Sequence, residues 1–314
     1  MSDKNPVTVA IHYSSYGENW QSMLQEQLEG FSVRLWPDWG DLDDVDYAVV
    51  WTPPHGLLQK CSNLKAIFCI GAGVDQLLVD PDFPRQIPLV RMTDAVLEEG
   101  MAEYITLAVL SLHRDLLKYL SFQGKGDWHP LAQRFPKDQN VGIMGLGNLG
   151  MAANSALQPF GFQMSGWSRS KKQIEHMTTY AGMETLPNFL KTLDILIVLL
   201  PLTDETRGIL NAETLSLLPE GANVINAARG ALLEIEDARQ LLDQGLLGYL
   251  WLDVHHVEPL SQDHWTWSHP RVVITPHIAA ATLPGSASNF VATNILRMEQ
   301  GSMPSNVVEI SAGY

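Results

Sequence analysis

The sequence predicts an α/β chain built of two doubly wound parallel-sheet domains. Three observations carry that reading. The length of 314 residues divides into two domains at about 100 to 200 residues each. Short apolar runs alternate with helical segments in two separate series, the pattern of strands that need crossover helices. A glycine-rich turn, Gly145-Leu-Gly147-Asn-Leu-Gly150, opens the second series.

The first series begins with an apolar run over residues 7–11, followed by an amphipathic helix over 18–28 and further runs over 31–35, 47–51 and 65–70. From Leu97 the apolar positions Met101, Ile105, Ala108, Leu112, Leu116 and Leu120 recur at steps of three and four, which predicts one long helix. Glu98, Glu99 and Glu103 suit its first turns through the macrodipole. Leu107, Leu110 and Leu117 lie off that stripe, so the helix is covered on a second side, by its own domains or by another subunit. The second series comprises runs over 141–144, 195–200, 222–225, 249–254 and 271–275, and a last helix follows Pro284.

Composition narrows the function classes. With 46% hydrophobic and 18% charged residues the chain can bury ordinary cores. Thirty-five acidic against 20 basic side chains leave a net charge of -15, which repels nucleic acid and anionic membrane surfaces, so neither is an expected partner. The longest apolar run, Ile195-Leu-Ile-Val-Leu-Leu200, is about a third of a bilayer span. The start, Met1-Ser-Asp-Lys-Asn-Pro6, shows no basic leader, and a cytoplasmic location is expected. Cys61 and Cys69 lack CxxC spacing and read as small core residues.

The glycine turn follows a predicted strand and opens a predicted helix, the context in which Gly145, Gly147, Asn148, Leu149 and Gly150 cradle a dinucleotide pyrophosphate. About 20 residues on, where an NAD site carries a carboxylate, stand Ser168, Arg169, Ser170, Lys171 and Lys172. Hydroxyl and guanidinium there fit a 2'-phosphate and argue for NADP over NAD; a solvated helix start with ordinary surface charge is the other reading. Three constellations end later strands: Asn226-Ala-Ala-Arg229-Gly230, Asp253-Val-His-His-Val-Glu258-Pro259 and Thr275-Pro-His277-Ile-Ala-Ala280. His255, His256, Asp263, His264 and His269 raise a metal reading, but no HExxH or CxxC spacing supports it and no metal is expected. Trp51, Trp265 and Trp267 either wall a pocket or pack in the core.

Together with Gly71-Ala-Gly-Val-Asp75 and Pro201-Leu-Thr-Asp-Glu-Thr206, these motifs occur in the order that resembles the D-isomer-specific 2-hydroxyacid dehydrogenases. The resemblance spans nearly the whole chain. Trp51-Thr-Pro-Pro54, the serine-arginine strand end and the closing Gly313-Tyr314 look most like the glyoxylate/hydroxypyruvate reductase branch.

The resemblance implies a flavodoxin-like substrate domain (residues 1–98 and 283–314) into which a Rossmann-type NADP domain (99–282) is inserted. It implies NADPH-dependent reduction of glyoxylate to glycolate and of hydroxypyruvate to D-glycerate. His277 matches the acid/base, Glu258 its orienting partner, and Arg229 the grip on the substrate carboxylate. Backbone N–H groups of Ala72 and Gly73 hold the same carboxylate, with Trp51 beside the substrate. Asp253 matches the position that contacts the nicotinamide carboxamide. His255 departs from the family, which has an aromatic such as phenylalanine there. A homodimer is expected. Alternatives are another short 2-keto acid as substrate, or a nucleotide-sensing binding protein, against which the intact Arg229, Glu258 and His277 set argues.

Overall fold

A computed structural model of the chain describes residues 6–13, 16–93 and 95–310. It divides into two compact units, Met1–Leu97 with Ala281–Tyr314, and Glu98–Ala280. The closing Gly313-Tyr314 lies outside the described residues.

The first unit contains β1 (Thr8–His12), α1 (Gly17–Gln27), β2 (Ser32–Leu35), β3 (Val45–Val50), β4 (Ala66–Cys69), α2 (Asp75–Leu78) and β5 (Leu89–Arg91). All strand pairs are parallel, in the order β2-β1-β3-β4-β5, the doubly wound order of flavodoxin-like sheets. Central strands β3 and β4 are almost wholly buried, as expected where helices cover both faces. β5 is absent from the sequence reading, because three residues behind Pro88 are too few to show a period. Cys61 and Cys69 are buried thiols.

The second unit starts within α3 (Ala95–His113) and continues through α4 (Leu116–Lys125), β6 (Asn140–Met144), α5 (Asn148–Leu157), β7 (Gln163–Ser168), β8 (Thr178–Ala181), α6 (Leu186–Leu190), β9 (Ile195–Val198), α7 (Ala212–Leu215), β10 (Ala222–Asn226), α8 (Ile235–Asp243), β11 (Leu247–Leu252) and β12 (Val272–Ile274). Seven parallel strands run β12-β11-β10-β9-β6-β7-β8, a Rossmann-type order extended by one strand. Strand alternation divides its core by face. Ile195 and Ile197 join Ile105, Val109 and Ala153 on one side, while Leu196 and Val198 join Leu190 and Leu242 on the other.

The single long helix expected from Leu97 to Leu120 is two helices. Asp115 takes the left-handed conformation, φ 55°, which a short polar side chain tolerates. Its carboxylate meets Lys118 at 2.8 Å and Arg134 at 3.3 Å, so the break is held by charge in a stretch whose apolar period runs on unbroken.

The chain returns to the first unit as α9 (Pro284–Glu299), which packs on α1; Gln27 Nε2 donates to Ser288 Oγ at 3.0 Å. At its end Glu299 Oε1 accepts from the fully buried Tyr47 phenol at 2.6 Å and from Lys65 Nζ at 2.8 Å. This ties the last helix to β3. Tyr47→Phe removes the phenol donor and is expected to cost about 1 to 2 kcal/mol of stability, measured by urea unfolding.

Candidate active site

Parallel pairing brings distant motifs to one edge of the seven-stranded sheet. Met144 pairs with Val198 and Trp167, Val198 with Asn226, Asn226 with Leu252, and Leu252 with Ile274. The segments that leave these carboxyl ends are the glycine turn, the Ser168 turn, Pro201–Thr206, the Arg229 turn, the Asp253–Glu258 loop and the Thr275–Ala280 segment. Open α/β sheets bind ligands at this edge.

The glycine turn is built by close approach. Gly145 has φ 103°, and a Cβ there would lie 2.4 Å from the Leu199 carbonyl oxygen; a Cβ on Gly150 would lie 1.9 Å from that of Gly145. Gly147, the N-cap of α5, has open space where its Cβ would be and no side-chain cap. Asn148 donates to Glu98 at 3.0 Å, and Leu149 packs against the core. In the neighbouring turn the buried Ser168 hydroxyl donates to the Ser170 carbonyl at 2.8 Å, while Arg169, Ser170 and Lys171 are exposed. Lys172 Nζ donates to the Leu146 carbonyl at 2.5 Å and links the basic turn to the glycine turn.

Arg229 follows β10 in a turn fixed by Asn226, whose amide donates to the Arg229 carbonyl at 2.9 Å and whose oxygen accepts from Ala228 N. Gly230 lies flat against the next loop: its Cβ would fall 2.0 Å from the His255 carbonyl carbon. Glu258 then bridges two groups. Oε1 accepts the His255 backbone N–H at 2.8 Å, and Oε2 meets His277 Nδ1 at 2.7 Å. Burial pushes the Glu258 carboxyl up, but the bonds from His277 and His255 outweigh it and hold the group below its ordinary range, ionised.

His277 has φ 56°, a left-handed conformation that costs roughly 1 to 3 kcal/mol in a non-glycine residue. Its N–H donates to the carbonyls of Asp253 at 2.8 Å and Thr275 at 3.1 Å. Asp253, which the resemblance sets against the nicotinamide, is 1% exposed and its carboxylate serves this turn. Oδ1 accepts from Thr275 Oγ1 at 2.6 Å and Ile278 N at 2.9 Å, and Oδ2 from Ala279 N at 2.9 Å.

In the other unit, a Cβ on Gly71 would lie 2.4 Å from the Trp51 ring, so the indole lies against the Gly71–Gly73 turn. Gln76 and the Cys69 thiol donate to the Gly73 carbonyl, leaving Ala72 and Gly73 half-buried. Trp265 packs against the core, whereas Trp267 is 55% exposed. Trp265 bonds Glu236 at 2.8 Å beneath Arg239, and Trp267 bonds the Ser261 carbonyl at 2.9 Å. Among the described residues no group of three His, Cys, Asp or Glu side chains forms a metal-ligand set. No helix among them is long and apolar enough to cross a membrane.

The D-isomer specific 2-hydroxyacid dehydrogenase NAD-binding domain matches residues 106–279. The chain belongs to the D-isomer-specific 2-hydroxyacid dehydrogenase family. A glyoxylate/hydroxypyruvate reductase A of Serratia proteamaculans is 42% identical over 95% of this chain and 96% of its own. An NADPH-dependent glyoxylate/hydroxypyruvate reductase of Sinorhizobium meliloti, solved with NADP and sulfate, superimposes with a TM-score of 0.93 at 37% identity, covering 98% of this chain and 100% of that one. A family member from Xanthobacter autotrophicus, solved with NADPH and MES, gives 0.92 at 38%, covering 98% and 99%.

The glycine turn of this dehydrogenase fits a dinucleotide: its walls exclude any Cβ at positions 145 and 150, while position 147 is open at a helix N-terminus. Sequence reasoning missed Tyr104 and Trp251 near His277. Both sit on apolar periods, which conceal a hydroxyl or indole N–H partner.

His255 meets His264 edge to face at 6.4 Å, and its Nε2 is buried without a hydrogen-bond partner. Burial lowers its pKa from 6.5, against the opposing charge of Glu258. The unfolded chain therefore takes up this proton first, and stability falls as pH drops below 6.5. His255→Phe cannot titrate and is expected to lose less melting temperature between about pH 7.5 and 5.5 than the wild type, read by thermal unfolding at both values.

Proposed function

We propose that this enzyme reduces glyoxylate to glycolate and hydroxypyruvate to D-glycerate with NADPH. The observation that carries the reading is the His277–Glu258 pair at 2.7 Å, on the same sheet edge as the Gly145–Gly150 turn and the basic Ser168–Lys172 turn. The relatives named for this activity, and the solved ones holding NADP or NADPH, support the substrate and the cofactor.

NADPH, when bound, supplies the hydride that adds to the keto carbon. Gly145, Gly147, Asn148, Leu149 and Gly150 would cradle its pyrophosphate, and Ser168, Arg169, Ser170 and Lys171 would hold its 2'-phosphate. His277, with Nδ1 held by the ionised Glu258, delivers a proton from Nε2 to the carbonyl oxygen, completing the alcohol. Arg229 pairs with the substrate carboxylate and polarises the carbonyl. In the first unit we assign the Ala72 and Gly73 N–H groups to that carboxylate and Trp51 to the substrate's side. Asp253 enters through the turn it holds. We place the domain boundaries near residues 98 and 282.

The proposed partner is a second copy of the chain, in the cytosol. Leu107, Leu116 and Leu120 stand exposed on α3 and α4, and Trp128 beyond them is 97% exposed.

Loss of reduced-nicotinamide absorbance with glyoxylate or hydroxypyruvate tests the function. Turnover is expected to be faster with NADPH than with NADH, and Arg169→Ala to erode that preference on the order of tenfold. Faster turnover with NADH would discard the 2'-phosphate site. His277→Ala is expected to abolish turnover while NADPH still quenches protein fluorescence; unimpaired turnover in that variant overturns the acid assignment.

A further inference from the structure

We infer that Tyr104, on α3, is a positioning residue for His277, acting through a one-way hydrogen-bond relay that ends on the carboxylate of Asp253. The inference rests on the reading of His277 as the proton donor.

The direction of the relay follows from what each group can do. The Trp251 indole N–H only donates, and lies 2.8 Å from the Tyr104 hydroxyl. The Tyr104 oxygen accepts there, so its own proton goes to Thr275 Oγ1, 2.5 Å away. Thr275 in turn gives its single proton to Asp253 Oδ1 at 2.6 Å, where a carboxylate only accepts. Each hydroxyl is both filled and used, which leaves one arrangement of protons.

At the end of the relay the same carboxylate takes the N–H groups of Ile278 and Ala279, and the Asp253 carbonyl takes that of His277. His277 thus sits left-handed in a turn gripped on both sides: at Thr275 by the relay and at 278–279 by the carboxylate. Tyr104 and Trp251 meet edge to face at 6.5 Å, and both are buried, so water does not replace a lost hydroxyl. Burial pushes the Tyr104 phenol up to about 12, which keeps it a donor at working pH. Phenylalanine and valine would pack nearly as well at 104 and 275. The polar pair adds a fixed orientation of the His277 turn.

The test compares Tyr104→Phe, Thr275→Val and Thr275→Ser with wild type, His277→Ala and Tyr47→Phe, which loses a comparable buried phenol bond in the other unit. For each, kcat and KM for glyoxylate, NADPH binding by fluorescence and the melting temperature are measured. Tyr104→Phe and Thr275→Val are expected to lose kcat on the order of 10- to 100-fold, with KM and NADPH binding nearly unchanged. Thr275→Ser, which keeps the hydroxyl, is expected to recover most of that loss. Tyr47→Phe is expected to melt earlier with wild-type kcat. Wild-type kcat in both Tyr104→Phe and Thr275→Val overturns the relay, as does a Thr275→Ser variant as slow as Thr275→Val. If Tyr104→Phe fails to fold, the valine and serine pair at 275 decides alone. Full turnover in His277→Ala overturns the underlying reading, an outcome distinct from a relay that fails while His277 proves essential.

Discussion

The buried carboxylate of Asp253 is the constraint on which this site depends. A charge removed from water is costly unless its lone pairs are filled, and here one hydroxyl and two backbone N–H groups fill them. Those three donors come from one short turn, so satisfying the charge and shaping the turn are the same event. The left-handed backbone of His277 persists because leaving it would strand the carboxylate.

Sheet geometry supplies the rest of the arrangement. A parallel sheet points all its carboxyl ends one way, and in-register pairing sets Asn226, Leu252 and Ile274 side by side. Residues some fifty positions apart in the chain then leave adjacent strands at one level. Gly230 allows the Arg229 turn to rest on the His255–His256 backbone, which couples the guanidinium-bearing turn to the loop that carries Glu258. Glu258 completes the coupling by bonding its own loop at His255 and the neighbouring segment at His277.

Much of this was legible in the sequence. Apolar runs of four to six residues between helical segments announce parallel strands, and the glycine spacing after residue 144 marks the turn whose walls leave no room for a Cβ at positions 145 and 150. The segments that carry Glu258 and His277 are readable because ionisable residues beside strand ends stand out against an apolar background, while the choice of these two residues comes from the family resemblance. What escaped has physical causes. The helix break at Asp115 depends on one residue's backbone and its ion pairs, which an unbroken period of leucines hides. β8 is a partly exposed edge strand beginning with two threonines, without the buried run that marks its neighbours. Tyr104 looks like any apolar member of a helix stripe, since its hydroxyl gains meaning only from a threonine 171 positions later.

The bond from Lys172 to the Leu146 carbonyl has a consequence for altering coenzyme choice. The basic turn and the glycine turn share this strut, so residues 168–172 do not form a cassette that can be exchanged at will. On the proposed 2'-phosphate assignment, redesign toward the unphosphorylated dinucleotide begins at the exposed Arg169 and Lys171. Removing Lys172 with them would release the Leu146 carbonyl and loosen the glycine turn, on which the proposed binding of either coenzyme rests. Selectivity for one coenzyme and retention of either are thus separated by as little as one position in the chain.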